Sequence, residues 1–272
     1  MPVASGETPG LSSRVRVEKS ESTYVEKDQY LSPLGHEQEL AFRETDGHLE
    51  TEFGSEAEWL RCVREDYPRF IPFLTERCGL RFHGRILEIG AGAAWFSAEL
   101  SKMAEVTEVV ATDFSPRILK EQAPRILRLL HAASHKITRM PGDFHRLDFP
   151  ADCFDFVVCS AVLHHAVDVV QVLREVKRVL KPGGRFVAIR EPVWPLIKLK
   201  SRSKTQARLV AAGVNEHFYT LPEYRKFFTA AELPVVVERV NLSTGLKYWL
   251  NELVNGLTHA RYAFVASKEP LP

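Results

Sequence analysis

The sequence predicts an α/β fold in which helices cover both faces of a doubly wound, mostly parallel, seven-stranded sheet. The first observation is a regular alternation of short apolar runs with amphipathic stretches from Arg85 onward. The second is a small-residue turn with Gly90 and Gly92 directly after the first run, and the third is an acid, Asp113, where the second run ends. Such alternation is typical of parallel strands joined by helices. These sheets bind ligands at the carboxyl ends of their strands, so the turn and the acid mark a candidate site.

The predicted strands are short apolar runs bounded by polar or turn residues. The run at 154–159 is almost continuously apolar, which indicates burial on both faces of the sheet. In chain order the predicted strands are 86–89, 106–112, 136–140, 154–159, 185–189, 235–240 and 261–266.

The predicted helices follow from capping residues and apolar spacing. Ser55 precedes Glu56 and Glu58, and a small hydroxyl residue followed by acids is a typical helix start. Pro68 and Pro72 are expected to kink that helix further along. The other predicted helices cover 94–103, a segment opened by Pro116 and disturbed by Pro124, 169–180, 223–231 and 246–254.

Composition and charge restrict the class of protein. The 272 residues are 45% hydrophobic and 26% charged, which is typical of a globular protein with one substantial core. A net charge of +1 gives no electrostatic footprint for nucleic acid, and the short basic cluster at 198–204 is expected to be a solvated loop. No apolar run approaches the roughly 20 residues of a membrane span, and the first residues lack a signal-peptide core. The four cysteines have no metal-binding spacing, so we expect reduced thiols and a cytoplasmic protein.

The small-residue turn at 88–94 reads Glu-Ile-Gly-Ala-Gly-Ala-Ala. Glycines remove the Cβ atoms that would keep a ligand away from the backbone. The dinucleotide-binding fingerprint needs a third glycine three positions after the second, and that position is Trp95. The sequence therefore excludes a nicotinamide dinucleotide at this turn.

Later strand ends carry further polar groups. Asp113 lies 23 positions after Gly90, close to the spacing of a ribose-binding acid, although an aspartate there can also cap a helix. The third predicted strand ends in Asp143 and Phe144, where a turn aspartate is the alternative. The fourth leads into Leu-His-His at 163–165, and Leu-Lys-Pro-Gly-Gly at 180–184 opens the fifth.

In this order and spacing, these motifs resemble the class I S-adenosylmethionine-dependent methyltransferases, in particular the small-molecule, type 11-like group. The resemblance covers about 85–191 and implies a Rossmann-like fold with S-adenosyl-L-methionine as cofactor. It places Gly90 and Gly92 beside the methionine portion, Asp113 at the ribose hydroxyls and Asp143 at the adenine amino group. Glu88 is expected to orient the loop and to reach the methionine amine through water or backbone. The remaining expected cofactor contacts are Ala91, Phe114, Phe144 and Ser160.

The implied reaction is in-line displacement of a methyl group from a sulfonium, and much of its catalysis can come from proximity. A general base is needed only when the acceptor arrives protonated. His164 and His165 follow the fourth strand, and their side chains are expected to point in different directions, which favours one catalytic residue, His165. Either histidine can instead pack or cap. No metal site is predicted, because adjacent histidines cannot easily share one ion and no carboxylate cluster accompanies them.

The predicted organisation is an N-terminal extension at 1–54 and a methyltransferase domain at 55–272. The extension is expected to be partly disordered, up to about Ser20, to form a lid, and to contribute Tyr24 and Tyr30 to the lining of the acceptor pocket. An insert at about 191–222 is expected on the acceptor side, with polar and aromatic residues at 215–220. Trp194, Phe218 and Tyr219 fit either that pocket or a plain secondary core.

The sequence favours a methyltransferase that acts on an O, N or C atom of a small molecule, in particular a specialised metabolite, without a nucleic-acid or membrane partner. The first alternative is a cofactor-binding protein of the same fold that acts as a cyclase or as a non-catalytic partner. The second is a methyltransferase of RNA or protein. Near-neutral charge counts against RNA, because backbone binding needs several cationic contacts. The acceptor and the oligomeric state stay open.

Overall fold

A computed structural model describes residues 21–26, 37–45, 48–194, 211, 214, 216–217, 219–243, 245–255 and 261–269 of the chain. It confirms the α/β fold: one eight-stranded sheet is parallel from its β1 edge through β6 and antiparallel at its last two strands. The spatial order is β1-β4-β3-β2-β5-β6-β10-β9. The strands are β1 (Thr23–Tyr24), β2 (Gly84–Ile89), β3 (Val106–Asp113), β4 (Ile137–Pro141), β5 (Phe154–Ser160), β6 (Leu180–Glu191), β9 (Val235–Val240) and β10 (Arg261–Ser267), and β7 (Val193–Trp194) pairs with β8 (Tyr219–Thr220) outside this sheet.

The strand order reverses beside β2. From β2 the chain continues through β3 to β4 on one side, then returns to form β5 and β6 on the other side. The loops after β2 and β5 therefore diverge and leave a crevice at the carboxyl ends of these strands, which is where open α/β sheets bind ligands. The sheet has one strand more than predicted, because the two-residue β1 pairs in parallel with β4 at the edge.

Helices cover both faces of the sheet. Ser55 caps its helix as predicted, with its Oγ accepting a hydrogen bond of 3.1 Å from the Glu58 N–H. The chain continues helically from there to Arg77 through wide and tight turns around Pro68 and Pro72. The helices are α1 (Glu37–Arg43), α2 (His48–Phe53), α3 (Glu56–Arg61), α4 (Phe70–Pro72), α5 (Trp95–Ser101), α6 (Ala123–Leu129), α7 (Val169–Val179), α8 (Leu221–Ala230) and α9 (Leu246–Asn255).

Two apolar cores lie on opposite faces of the sheet. Ile86 of β2 belongs to the core with Phe96 of α5, whereas Leu87 belongs to the core with Phe228 of α8. Successive side chains of a strand point to opposite faces, so a strand that is apolar at every position is buried on both. This double cover fixes the strand ends rigidly and so positions the crevice.

Candidate active site

A cavity of about 180 Å³ lies at the carboxyl ends of β2, β3, β5 and β6, at the point where the strand order reverses. The loop after β2 lines it with Gly90, Ala91 and Gly92, and Asp113 lines it from β3. The remaining lining residues that concern the site are Phe114, Phe144, Ser160, His164, His165, Arg190 and Glu216, with Glu39, Arg43, His48 and Glu52 from α1 and α2. The sequence-predicted glycine turn and the second-strand acid thus meet in one place.

The loop after β2 is shaped by two glycines with different constraints. Gly90 has a φ of +59°, and a Cβ there would come within 2.6 Å of Val162 Cγ2. Gly92 has a φ of +50° and no atom within 4 Å of the Cβ position, so its missing side chain leaves open space beside the cavity. Ala94, in the family's last glycine position, also has a left-handed φ of +60°. That backbone conformation explains why glycine suits the position and shows what the alanine costs in strain.

Asp113 connects β3 to the glycine loop. Its Oδ2 accepts a 2.7 Å hydrogen bond from the Gly92 N–H, and its Oδ1 accepts a 2.9 Å bond from the Ser115 N–H. Burial raises the pKa of this carboxyl, and the two backbone bonds partly offset that effect. A carboxylate oxygen can accept more than one hydrogen bond, so both oxygens keep acceptor capacity for ligand hydroxyls in the cavity that Asp113 lines.

Glu88 lies behind the loop, outside the cavity lining, at 1% exposure. Its Oε2 accepts hydrogen bonds from the Ser97 N–H (2.8 Å) and from the Ser97 hydroxyl. Burial, the largest effect, raises its pKa to about 8, against the opposing hydrogen bonds from Ser97. Glu88 thus anchors the start of α5 to β2. Its predicted contact with the methionine amine through water or backbone stays a prediction.

The third strand end also differs from its sequence-based expectation. Asp143 is not among the residues that line the cavity; its Oδ1 accepts hydrogen bonds from the backbone N–H of His145 (2.8 Å) and from His145 Nδ1 (3.0 Å). Phe144 does line the cavity and is 8% exposed. The turn aspartate weighed as an alternative for Asp143 describes these contacts, while the predicted cofactor contact of Phe144 requires the position at the cavity that Phe144 occupies.

His164 is buried at the end of β5 and is held by Glu191 from the end of β6. Its Nδ1–H donates a 2.8 Å hydrogen bond to Glu191 Oε2, and the other carboxylate oxygen accepts from the Val162 (2.8 Å) and Leu163 (3.1 Å) N–H groups. Burial opposes the charged form of His164, but Glu191 holds the pKa of the imidazole above its usual value. The same contact keeps the pKa of Glu191 low despite its burial.

His165 lies beside His164, with the ring centroids 4.1 Å apart. Both residues belong to the tight turn Leu163–His165 and both line the cavity, so the expectation that the two side chains point in different directions is wrong. The turn is too short to impose the side-chain periodicity of a helix or strand on which that expectation rested. His165 Nδ1 lies 3.3 Å from Glu39 Oε1, whereas the Glu191 contact belongs to His164, the residue that the sequence did not favour.

Glu216 completes this group. His164 Nε2 lies 3.8 Å from Glu216 Oε2, and burial raises the pKa of the Glu216 carboxyl. One ligand atom from each of His164, His165 and Glu216 lies within 4.8 Å of the others; we call these three residues the histidine cluster. The sequence predicts no metal site, because adjacent histidines cannot easily share one ion and no carboxylate cluster accompanies them. The fold, however, brings the Glu216 carboxylate to both histidines.

Helices α1 and α2 form the wall opposite the glycine loop. The Arg43 guanidinium lies between acids: it bonds Glu52, and its Nη2 is 3.7 Å from Glu39 Oε1. Attraction to Glu52, Glu39 and Asp113 raises the pKa of Arg43 although burial lowers it. Sequence reasoning missed all of these residues except as members of a possible lid, because the charged spacing of short helices does not reveal what they face.

Two of the six non-glycine residues with a positive φ in the described part of the chain line the cavity. Ala94, Ala161 and Arg190 are three non-glycine residues with a φ near +60°, and Ala161 and Arg190 line the cavity. Arg190 places its guanidinium carbon 3.7 Å from the centroid of the Tyr67 ring and donates a 2.8 Å hydrogen bond to the Tyr67 hydroxyl. Left-handed conformations outside glycine persist only where the surroundings impose them, and they are frequent at functional sites.

Several expected pocket residues lie elsewhere or outside the described ranges. Tyr24 is at the sheet edge, with Lys120 and Arg139 over its ring, so its expected place in the cavity is wrong. Tyr219 packs edge-on against Tyr224 and Phe227, in the secondary core. Outside the described residues lie Tyr30, Asn215, Phe218, the N-terminal segment 1–20 and the basic cluster 198–204.

Comparison with known proteins identifies the class. Residues 87–188 match the methyltransferase domain family. This segment includes the glycine loop, Asp113 and the histidines, which are the positions that carried the sequence resemblance. Residues 87–188 therefore match a methyltransferase domain, and this match supports the predicted class, the class I S-adenosylmethionine-dependent methyltransferases, with S-adenosylmethionine as cofactor.

Curated relatives agree over part of their length. The chain is 35% identical over 109 residues to demethylmenaquinone methyltransferase of Deinococcus radiodurans, covering 40% of this chain and 43% of the relative. It is 33% identical over 132 residues to the ubiquinone/menaquinone biosynthesis C-methyltransferase of Pseudomonas putida, covering 48% and 50%. The chain thus spans about half or less of the length of the relatives it matches.

Solved structures show the same fold. An S-adenosylmethionine-dependent methyltransferase from Mesorhizobium loti superposes with a TM-score of 0.56 at 24% identity, covering 72% of this chain and 96% of that one. The [4+2]-cyclase SpnF superposes equally well, with a TM-score of 0.56 at 18% identity and coverage of 75% and 82%. Because proteins of different activity share it, the fold alone does not define the reaction. Within the described part of the chain, no helix has the length and apolar character needed to cross a membrane.

Proposed function

We propose that the protein transfers a methyl group from S-adenosylmethionine to a small-molecule acceptor bound between the glycine loop and the histidine cluster. One observation supports this most strongly: a single cavity is lined on one side by Gly92 and Asp113 and on the other by His164 and Glu216. Gly92 and Asp113 suit the methionine and ribose portions of the cofactor, and His164 and Glu216 offer polar groups to the acceptor.

The described residues fit the cofactor. Gly92 leaves open space where a side chain would stand, and its N–H fixes the Asp113 carboxylate at the same edge of the cavity. Phe114 and Phe144 offer apolar contact for a ring, and Ser160 stands at the end of β5. When bound, S-adenosylmethionine supplies a methyl group on a positively charged sulfur, an arrangement in which the leaving group is already activated.

The protein's own contribution is then to position and to exclude water. Asp113 holds the hydroxyl end of the cofactor, while Trp95 and Tyr67, with ring centroids 5.1 Å apart, close the apolar side of the cavity. The histidine cluster orients the acceptor, because Glu191 fixes the His164 ring through its Nδ1. Aligning two reactants in this way can supply much of the rate enhancement of a displacement reaction.

We propose that α1 and α2, which belong to the predicted N-terminal extension at 1–54, act as a lid over the cavity of the predicted domain at 55–272. The cavity of about 180 Å³ is smaller than the roughly 300–1,000 Å³ that small-molecule sites usually provide. Arg43 fills part of the space between Glu39 and Glu52. Admission of the cofactor therefore requires α1 and α2 to move outward, and their return excludes water from the reacting groups.

The proposed acceptor is a small molecule, and quinone precursors are the first class to test. The relatives from Deinococcus radiodurans and Pseudomonas putida are named for methylation in menaquinone or ubiquinone formation. Phe53 of α2, Trp59 of α3 and Val63 in the helical turn after α3 line the cavity. This apolar surface suits a ring or an aliphatic chain.

The test is transfer of a labelled methyl group. Purified protein is incubated with methyl-deuterated S-adenosylmethionine and either demethylmenaquinone or a small-molecule extract, and products are followed by mass spectrometry. We expect a product heavier by the labelled methyl group, together with an equal amount of S-adenosylhomocysteine. Cofactor binding without product from any acceptor would instead support a cyclase or a binding role, and no cofactor binding would contradict the proposal.

A further inference from the structure

We propose that the histidine cluster, His164, His165 and Glu216, binds a divalent transition-metal ion such as Zn²⁺ on the acceptor side of the cavity. Two imidazoles and one carboxylate are a donor set that catalytic zinc and non-haem iron sites use, and such sites keep a position open for another ligand. Metal binding itself needs only these three residues. The role of the ion, contact with the acceptor, rests on the proposed function.

The ligand atoms are close to the required arrangement. They lie within 4.8 Å of one another, and His164 Nε2 is 3.8 Å from Glu216 Oε2. Tetrahedral Zn²⁺ with bonds of about 2.0–2.1 Å sets neighbouring ligand atoms about 3.4 Å apart. Side-chain movements of about 1 Å therefore complete the site without a change in the backbone.

Glu191 acts as the outer partner that such sites typically have. A metal-binding histidine usually donates its second ring N–H to a carboxylate, which fixes the tautomer and turns the other nitrogen toward the ion. His164 Nδ1–H donates to Glu191 Oε2 at 2.8 Å, so the lone pair is on Nε2, the nitrogen that faces Glu216. Glu191 is itself fixed by the N–H groups of Val162 and Leu163.

The backbone holds the two halves of the site together. Glu216 comes from the segment before β8, far from His164 in sequence, but the His217 N–H donates a 3.0 Å hydrogen bond to the His164 carbonyl. This bond places Glu216 opposite the histidines independently of any side-chain contact. The position of Glu216 relative to the two histidines is therefore fixed by a backbone hydrogen bond.

Charge in this corner of the cavity also favours a cation. Glu39, Glu191 and Glu216 surround the two imidazoles, with side chains 2%, 0% and 10% exposed. Arg43, with its Nη2 3.7 Å from Glu39 Oε1, contributes one permanent positive charge beside these three carboxylates. Buried carboxylates are stable only when paired, and a divalent ion beside Glu216 balances this excess.

The ion's open position faces the cavity, where it can bind an oxygen of the acceptor. A bound transition-metal ion polarises such an oxygen and orients the molecule that carries it. An acceptor that binds this ion therefore presents an oxygen donor, such as a hydroxyl or carbonyl, near the atom that is methylated.

The experiment measures metal binding to tag-free protein that has been dialysed against a chelator. Calorimetric titration with Zn²⁺ is expected to give one site with a dissociation constant in the micromolar range or below. Replacement of the ion by Co²⁺ is expected to give visible absorption bands of a four- or five-coordinate site. Glu216→Gln and His165→Ala are expected to weaken Zn²⁺ binding at least tenfold, and Glu191→Gln about tenfold to a hundredfold. His135→Ala, at an exposed histidine, is the matched control and is expected to change nothing.

The outcomes distinguish failure of the metal site from failure of the proposed methyltransferase function. Loss of the Co²⁺ bands in Glu216→Gln, with S-adenosylmethionine binding and thermal midpoint retained, supports the site and rules out unfolding as the cause. Zn²⁺ binding that is absent in the wild type, or equal in Glu216→Gln and His135→Ala, overturns the metal site even when methyl transfer is found. Zn²⁺ binding without any cofactor binding leaves the metal site standing and contradicts the methyltransferase.

Discussion

The Glu88 carboxyl provides a quantitative test of the structure. It is 1% exposed, it is bonded to Ser97 at the start of α5, and its pKa is raised from 4.5 to about 8. The change to test is Glu88→Gln, because glutamine keeps the shape, still accepts the Ser97 N–H and cannot ionise. The substitution therefore removes the cost of a buried charge and leaves the packing in place.

The sign follows from proton binding. Folded protein keeps the Glu88 proton up to about pH 8, whereas the unfolded chain loses it near 4.5, so stability falls as the pH rises through that window. At 1.36 kcal/mol per pKa unit, the full difference is about 5 kcal/mol, of which about 1 is present at pH 5 and about 3 at pH 7. Glu88→Gln should therefore gain about 2 kcal/mol relative to wild type between pH 5 and pH 7.

The assay is urea unfolding of both proteins at several pH values between 4.5 and 8.5, without cofactor. The free energies of unfolding should be similar at pH 4.5 and diverge steadily in favour of Glu88→Gln as the pH rises. Glu121→Gln is the control, because this exposed carboxylate pairs with Arg117 on the surface and its removal should shift stability by less than about 0.5 kcal/mol. Parallel curves for wild type and Glu88→Gln would refute the assigned burial and protonation of Glu88.

Other substitutions test the loop and the lid. Gly90→Ala and Gly92→Ala form a matched pair, because both positions have a positive φ but only Gly90 has Val162 within 2.6 Å of the new Cβ. We expect thermal unfolding to show that the free energy of unfolding falls by about 1 kcal/mol in Gly92→Ala and by at least about 2 kcal/mol in Gly90→Ala. Equal losses would show that a Cβ at Gly90 does not clash with Val162. Arg43→Met leaves the Glu52 partner of Arg43 without its cation, so urea unfolding should show a loss of about 2–4 kcal/mol. A loss below about 0.5 kcal/mol would show that α1 and α2 do not close on the cavity as described.

Much of the sheet could be predicted from local sequence. Strand β9 coincides with the predicted 235–240, and α7 ends at Val179, one residue before the predicted end. Such agreement is possible because an apolar run between turn residues determines a buried strand locally. Asp113 could likewise be placed at the cavity, since the carboxyl ends of neighbouring parallel strands meet at one edge.

The rest of the site depends on contacts between distant segments. The sequence could not show that His164 and His165 turn the same way, because a single tight turn has no periodicity to read. It also could not predict that Glu216 and Glu39 contact the histidines, because tertiary packing determines the path of the segments that carry them. At Asp143 the sequence motif is present, but the carboxylate accepts hydrogen bonds from His145, two residues away.

We propose that the cavity at the strand ends binds the methyl donor through Asp113. Equilibrium binding of methyl-tritiated S-adenosylmethionine to wild type, Asp113→Asn and Asp148→Asn tests it directly. Asp148, with a side chain 53% exposed, is the matched control outside the cavity. We expect one saturable site per chain in wild type and Asp148→Asn, and about tenfold to hundredfold weaker binding in Asp113→Asn. Equal binding by all three proteins, or no saturable binding by any, would contradict the claim.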